Sequence, residues 1–199
     1  MSKTEHLQLR RAGSPTDVEE IAALHADSWR RHYRGAYSDP YLDGDLQTER
    51  LAVWRERFET QRERTATIMA ETDGVLVGFV HVVLDDDATW GSLIDNLHVR
   101  YNCKRAGIGR TLMAGAADVA VEHGSGGLYL WVLEQNQAAQ AFYGSLGGSR
   151  VEHSFAGAPG GDLTHLKGRP MKLRYFWHNP SVLRDRRRLH NENVVGRHH

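Results

Sequence analysis

The chain has one cysteine, Cys103, among 199 residues, so no internal disulfide can form and a reducing compartment is the expected setting. No apolar run approaches the ~20 residues that a membrane-spanning helix needs. Met1 to Arg11 holds charged and polar residues but no apolar segment of the kind a signal peptide carries. A charge excess is also missing: 25 Lys and Arg balance 25 Asp and Glu, which leaves nothing at whole-chain level to attract nucleic acid. The histidines show no His-Glu-x-x-His spacing, and with a single cysteine no metal site is expected. There is no internal repeat. What these absences leave is a cytoplasmic globular protein of one domain, with no membrane and no nucleic-acid partner.

What is present is a dense alternation of strand and helix signals. Leu7 to Arg11 reads as a short strand, and Thr16-Asp17-Val18-Glu19 as a capping box. It opens a helix whose Val18, Ile21, Ala22, His25 and Trp29 share one face. Tyr33 to Tyr41, rich in tyrosine and lacking either periodicity, is placed on a loop. A helix over Leu46 to Arg62 turns Leu51, Trp54 and Phe58 inward. Strands follow at Thr65 to Thr72 and Val75 to Leu84, joined by an Asp73-Gly74 hairpin turn; the second is apolar enough to be buried on both faces. Asp85-Asp86-Asp87 breaks that run before a strand over Ser92 to Val99. Helices over Gly107 to His123 and Asn136 to Leu146 bracket a strand at Leu128 to Leu133, and Gly147-Gly148 closes the second helix. Ser149 to Phe155 and Met171 to Trp177 form a last strand pair around a glycine-rich loop. The order predicts a mixed α/β (α+β) domain rather than a regular βαβ repeat. Residues 1–178 are read as the domain, and 179–199 as a basic tail dominated by Arg184, Arg186, Arg187, Arg188 and Arg197. The tail is expected to be solvated or packed at a subunit contact.

The segment Lys104-Arg105-Ala106-Gly107-Ile108-Gly109-Arg110 lies between a buried strand and an amphipathic helix. Glycine lets backbone approach a ligand closely, and a helix start offers free amides with roughly half a positive charge. Together with the basic side chains these make an anion cradle suited to a pyrophosphate. A dinucleotide fingerprint would need a third glycine where Leu112 stands, and a phosphate-binding P-loop would need a Gly-Lys-Ser/Thr that is absent.

These residues resemble the signature of the GNAT superfamily of N-acetyltransferases, Gln/Arg-x-x-Gly-x-Gly/Ala after a fourth strand, with Lys104 standing at the Gln/Arg position. The second family motif is matched by Leu130-Trp131-Val132-Leu133, the helix start at Asn136, then Phe142-Tyr143 and Leu146-Gly147. The likeness spans about Leu7 to Trp177. It implies a mostly antiparallel central sheet of about seven strands flanked by about four helices. It also implies acetyl-CoA as co-substrate and an amine as acceptor; homodimerisation is an expectation that comes with the family. Backbone amides from Arg105 to Arg110 would hold the pyrophosphate, and Lys104 keeps a donor beside them without arginine's planar geometry. Leu97 and Val99 would pair through their main chain with the pantetheine arm, as an added strand does. Asn136, a good N-cap in any case, would also touch the coenzyme.

Tyr143 matches the family's general acid, which protonates the departing thiolate; it sits at the edge of the stripe formed by Ala138, Ala141, Phe142 and Leu146, so it also reads as a core aromatic. Asp95 shares strand parity with Leu93, Leu97 and Val99, and a carboxylate where apolar residues point is the conflict functional sites show, unless a bulge flips it. It would take the proton of an acceptor amine. His98 and His81 are weaker candidates. Tyr33, Tyr37, Tyr41, Trp90 and Asp85 to Asp87 either line the acceptor pocket or simply pack a junction and a turn. The leading reading is acetyl transfer from acetyl-CoA to a small-molecule primary amine by direct attack, with oxyanion support from the Leu97 amide. Cys103 adjoins the cradle without a base and is not read as a nucleophile. Two alternatives stand beside it: a protein or peptide N-acetyltransferase, which needs an open groove uncovered by the Gly157 to Gly161 loop, and a non-catalytic acyl-CoA-binding regulatory module.

Overall fold

A computed structural model describes residues 7–60 and 63–184 of the chain. The last fifteen residues of the basic tail lie outside the described residues. β1 (Leu7–Arg11) is followed by α1 (Pro15–His32), α2 (Asp39–Asp43) and α3 (Leu46–Thr60), then by β2 (Thr65–Thr72), β3 (Val75–Asp87) and β4 (Gly91–Val99). α4 (Ile108–His123), β5 (Leu128–Leu133), α5 (Gln137–Ser145), β6 (Ser149–Phe155) and β7 (Met171–Trp177) complete the chain. The strands make one sheet in the order β1-β2-β3-β4-β5-β7-β6. Every pairing is antiparallel except β4 with β5. No helix among the described residues is long and apolar enough to cross a membrane.

Local signals set most boundaries. Asp73 and Gly74 both adopt positive φ, 51° and 77°, the conformation a tight two-residue hairpin between β2 and β3 requires. β3 is buried without interruption from Leu76 to Val82, as expected of a strand covered on both faces. Gly78 explains how closely it is covered. A Cβ there would come within 2.9 Å of the His98 carbonyl and 3.0 Å of Leu112 in α4, so a glycine lets α4 settle onto the sheet.

Four boundaries differ from the sequence reading. The α1 cap is Ser14, not Thr16: its side chain accepts from the Asp17 amide, and Asp17 returns the bond to the Ser14 amide in a reciprocal capping box. Asp17 is bound further by the Arg10 guanidinium, 2.7 and 3.0 Å away, which ties β1 to α1 and holds the carboxyl well below its usual range. The tyrosine-rich loop contains α2, a helix of one turn with Pro40 at its second position and too short to print a periodicity. β3 runs on through Asp85 to Asp87 after an irregularity in its pairing with β4. Finally, Leu183 is 1 % exposed within the main core and Arg184 pairs with Asp118 at 2.6 Å, so packing continues five residues past Asn179.

Two layers flank the sheet. α4 covers one face, where Leu112, Met113, Ala116 and Ala120 join Ile68, Val80, Ile94, Leu130, Leu173 and Trp177 in the main core. α1 and α3 cover β1 to β4 on the other face through Ile21, Leu24, Trp54, Met69 and Phe79. A third cluster joins Trp29 and Tyr37 to Leu133 of β5.

Candidate active site

The sheet is split at its centre. β4 pairs with β5 only from Ser92 to Ile94, against Leu128 to Leu130. Beyond that point Asp95 to Val99 and Trp131 to Leu133 diverge and leave strand edge facing a cleft. A bulge sits at the mouth of the split: Val82 pairs with Ile94 but His81 pairs with Asn96, so Asp95 is an extra residue in β4. The bulge resets the alternation of sides. Ile94, Leu97 and Val99 all pack toward α4, whereas His98 reaches Ser28 of α1. Asp95 therefore does not share the face of Leu97 and Val99, as uniform parity implies; it is turned to the side of α1 and α3. There its Oδ2 lies 2.8 Å from Arg57 Nη1 and 2.6 Å from Asn96 Nδ2. The Arg57 contact is coulombic, its N–H not being aligned on an acceptor. Asp95 Oδ1 has no partner among the described residues. The carboxylate is felt electrostatically at Tyr33, Tyr37, His81, His98 and Lys172, so all of these lie within its range.

The cradle forms at the outer end of β4. Arg105 and Gly107 both take left-handed backbone, φ 67° and 79°, interleaved with ordinary residues in the manner that turns successive N–H groups toward one point. For Arg105 this conformation costs about 1 kcal/mol, since it lacks glycine's freedom. The first bond of α4 runs from the Thr111 amide to the Gly107 carbonyl at 3.0 Å. No amide from Arg105 to Arg110 donates to a carbonyl among the described residues. Six amides without a backbone acceptor, at the start of a sixteen-residue helix, suit a diphosphate. The Lys104 side chain is directed elsewhere: Nζ lies 2.7 Å from His32 Nε2 and 5.4 Å from the Tyr101 ring, where it fastens the loop to α1. Burial and the Lys104 charge together push His32 down, in keeping with a neutral ring that accepts from the ammonium.

α5 adjoins the cradle. A Cβ on Gly109 would meet the Phe142 ring at 3.3 Å, so the two sequence motifs are in direct contact. Asn136 caps α5, its Oδ1 accepting from the Ala139 amide at 3.2 Å, and its Nδ2 has no acceptor among the described residues. Tyr143 is 8 % exposed within the main core, its ring 5.9 Å from Tyr175 and 6.3 Å from Trp177. Its hydroxyl has no hydrogen-bond partner among the described residues, and burial raises its pKa, keeping it protonated. Tyr143 and Tyr33 are close enough to influence each other electrostatically.

The α1 and α3 wall contains groups that sequence reasoning underrated. His25 accepts from Trp54 Nε1 at 3.0 Å through Nδ1, so its proton sits on Nε2, which is buried without an acceptor. Its ring stacks on His98 at 4.7 Å. His98 and His81 contact Ser28 and Thr67 hydroxyls, each at 2.8 Å. Desolvation first, then nearby charges including Arg57, pushes His81 down to about 4; desolvation, His32 and Lys104 push His98 down to about 3. His25 is displaced in the same direction by burial. Arg50 lies over the Trp29 ring at 4.3 Å and Arg57 over Trp54 at 5.0 Å. Arg50, Trp54 and Arg57 have helical spacing i, i+4, i+7, and two arginines beside an inward tryptophan are the sequence signal that could have found this wall.

The tyrosines divide from the other suggested pocket residues. Tyr33 stacks on Trp29 at 5.1 Å, Tyr37 lies 5.0 Å from both, and Tyr41 continues the row. The β6–β7 connection crosses over them. The Ser38 amide donates to the His165 carbonyl and the Lys167 amide to the Ala36 carbonyl, each at 2.8 Å, while the His165 ring stacks on Tyr41 at 4.0 Å. Trp90 and Asp85 to Asp87 sit instead at the other end of β5. There Asp85 meets His123 at 2.8 Å, Asp86 accepts from the Tyr129 hydroxyl, and Trp90 packs on Phe176 at 5.0 Å.

Comparison with known proteins converges on one family. The model of the acetyltransferase (GNAT) family matches residues 26–147. A probable N-acetyltransferase of Mycobacterium tuberculosis is 33% identical over 135 residues, covering 67% of this chain and 75% of that protein. The uncharacterized N-acetyltransferase YuaI of Bacillus subtilis is 24% identical over 137 residues, covering 68% of this chain and 76% of its own. The PaiA N-acetyltransferase from Thermoplasma acidophilum, solved with coenzyme A, superposes with a TM-score of 0.66 at 19% identity over 86% of this chain and 99% of that one. YncA from Salmonella typhimurium, solved with acetyl-CoA, gives 0.62 at 18% identity over 86% and 93%.

Proposed function

The chain belongs to the acetyltransferase (GNAT) family and is an N-acetyltransferase, and from that premise we propose that it moves the acetyl group of acetyl-CoA to the primary amine of a small molecule. The observation that carries the small-molecule acceptor is the β6–β7 connection, fastened at residues 165–167 across Ala36 to Tyr41. A roof fastened over the tyrosine row closes that side of the site to a polypeptide strand, which favours a compact amine.

The residues take the following parts. The free amides from Arg105 to Arg110, with Arg105 and Arg110, hold the pyrophosphate. Leu97 and Val99, two apart on a strand edge, present their main chain in the same direction and hold the extended arm. Asn136 Nδ2 adds a donor at the far bank. The amine attacks the thioester carbonyl directly as the C–N bond forms and the C–S bond breaks. The Leu97 amide supports the oxygen that gains charge, and Tyr143 gives its phenolic proton to the leaving sulfur. An acceptor ammonium of pKa ~10.4 must first lose a proton, a cost of about 4 to 5 kcal/mol at pH 7. The open Oδ1 of Asp95 attracts the cation and accepts that proton directly or through water. Cys103, whose Sγ hydrogen-bonds Asn102 Oδ1 at 3.5 Å and has no basic partner among the described residues, takes no part.

The test is thiol release from acetyl-CoA over amines, polyamines, aminoglycosides and peptides, with Tyr143→Phe alongside the parent. Turnover confined to small amines and depressed in the variant is the expected result. Turnover confined to peptides would replace this acceptor class with the peptide reading. Coenzyme binding without release from any acceptor would favour a binding-only module.

A further inference from the structure

Lys172, Arg174 and Phe176 alternate along β7 with Leu173, Tyr175 and Trp177. The second set packs in the core under α4 and α5, so the first set faces the α1 side of the sheet. On that side α1 reaches β5 only at its end, where Trp29 packs with Leu133, and the rest of the β5 surface there is made by Tyr129 and Trp131. Trp131 is the first residue of β5 beyond its last pairing with β4, as Asp95 is the first on β4. The two therefore stand on opposite banks of the split. Lys172 Nζ lies 4.3 Å from the centre of the Trp131 ring. The ammonium is half-buried, and no carboxylate among the described residues lies within ion-pairing distance of it; Asp95 and Glu152 are felt only at longer range, and burial with the charge of Arg174 pushes its pKa down. Behind it Arg174, 9 % exposed, is ringed by Trp131, Tyr129 and Trp90 at 4.5, 4.8 and 4.9 Å. Its Nε is 3.2 Å from Glu152 and its Nη1 3.9 Å from Asp87, yet neither N–H is aligned on an acceptor.

One bank thus carries a carboxylate with a free oxygen, and the other carries two cations with one ammonium unpaired. We infer that Lys172, backed by Arg174, selects acceptors bearing a carboxylate beside the reacting amine, so that the substrate is an amino acid or a close analogue. The ammonium of such a zwitterion meets Asp95 while its carboxylate meets Lys172 across the apolar floor of Trp131. A half-buried ammonium gains far more from a carboxylate than an exposed one does, because water competes less for both. This rests on the small-amine reading above and narrows it.

Matched pairs test it: amino acids against the amines that lack only the carboxylate, assayed with the parent, Lys172→Met and Lys172→Arg. The ratio of kcat/KM within a pair, compared between proteins, cancels the intrinsic reactivity of each amine. The parent is expected to favour the acid member at least about tenfold. Lys172→Met should erase that preference through KM rather than kcat, and Lys172→Arg should keep most of it. Equal use of both members, or a preference that survives in Lys172→Met, overturns the inference. Release with polyamines or other amines that lack a carboxylate, but none with amino acids, also overturns it, while leaving the acetyltransferase reading intact. Silence across every amine with coenzyme still bound strikes the small-amine reading itself, and this inference with it.

Discussion

His25 on α1 and His81 and His98 beneath it are held neutral, and mild acid should destabilise the protein through them. Each has its pKa lowered by burial, His81 to about 4 and His98 to about 3 from an ordinary 6.5. The charges facing them are mostly like in sign: Arg50 and Arg57 from α3, His32 of α1 and Lys104 of the cradle, with Asp95 the one opposing carboxylate. Above pH 6.5 both folded and unfolded chains carry these rings neutral, and no cost arises. As pH falls below 6.5 the unfolded chain binds protons that the folded chain refuses, so stability drops by about 1.4 kcal/mol per pH unit per histidine. At pH ~5 His81 and His98 together remove about 4 kcal/mol, with His25 adding to the loss in the same direction. That is a large share of a usual stability of about 5–15 kcal/mol. Asp17, whose carboxyl Arg10 holds low, loses its contribution only below pH ~4, so the two effects separate on the pH axis. Urea unfolding at pH ~7.5, 6 and 5 measures the slope. His98→Gln, which keeps a partner for Ser28, should flatten it by about 1.4 kcal/mol per unit. Stability constant within about 1 kcal/mol from pH ~7.5 to 5 would refute the burial argument.

Three further outcomes follow from the site. Tyr143→Phe should lower kcat by about 10²-fold with little change in unfolding free energy, because the lost hydroxyl has no partner; a stable variant with full kcat would remove Tyr143 as the proton donor. Gly107→Ala, placed at φ 79°, should cost about 1 kcal/mol of stability and weaken coenzyme binding by calorimetry, while Gly124→Ala at the same φ should cost stability alone. Asp95→Asn should lower kcat/KM at pH 7, and the deficit should shrink toward pH ~10 as the free amine forms without help; a deficit independent of pH would make Asp95 a binding group only.

The parts of the site that were legible in sequence are those whose physics is local. A glycine-bearing loop before a helix makes free amides wherever the chain goes next, and Asn136 caps α5 by reaching three residues ahead. The Lys172 and Trp131 contact depends on the pairing of β5 with β7, strands forty residues apart, and no periodicity within either strand reveals it. Asp95 is the instructive case. Counting alternate residues from Leu97 assigns it to the α4 face, because the count assumes one residue per step on both strands. The sign of the extra residue lies in the packing. Ile94 and Leu97 are three apart while Leu97 and Val99 are two apart, and all three pack on the same side; only an inserted residue reconciles those spacings. The residue that absorbs the insertion is the acidic one, at the point where β4 and β5 part. A carboxylate aligned with Leu97 and Val99 would be buried against α4, at a cost of several kcal/mol unless paired. The bulge removes that conflict by turning Asp95 into the cleft, and the step that relieves the core is the same step that supplies the cleft with its charge.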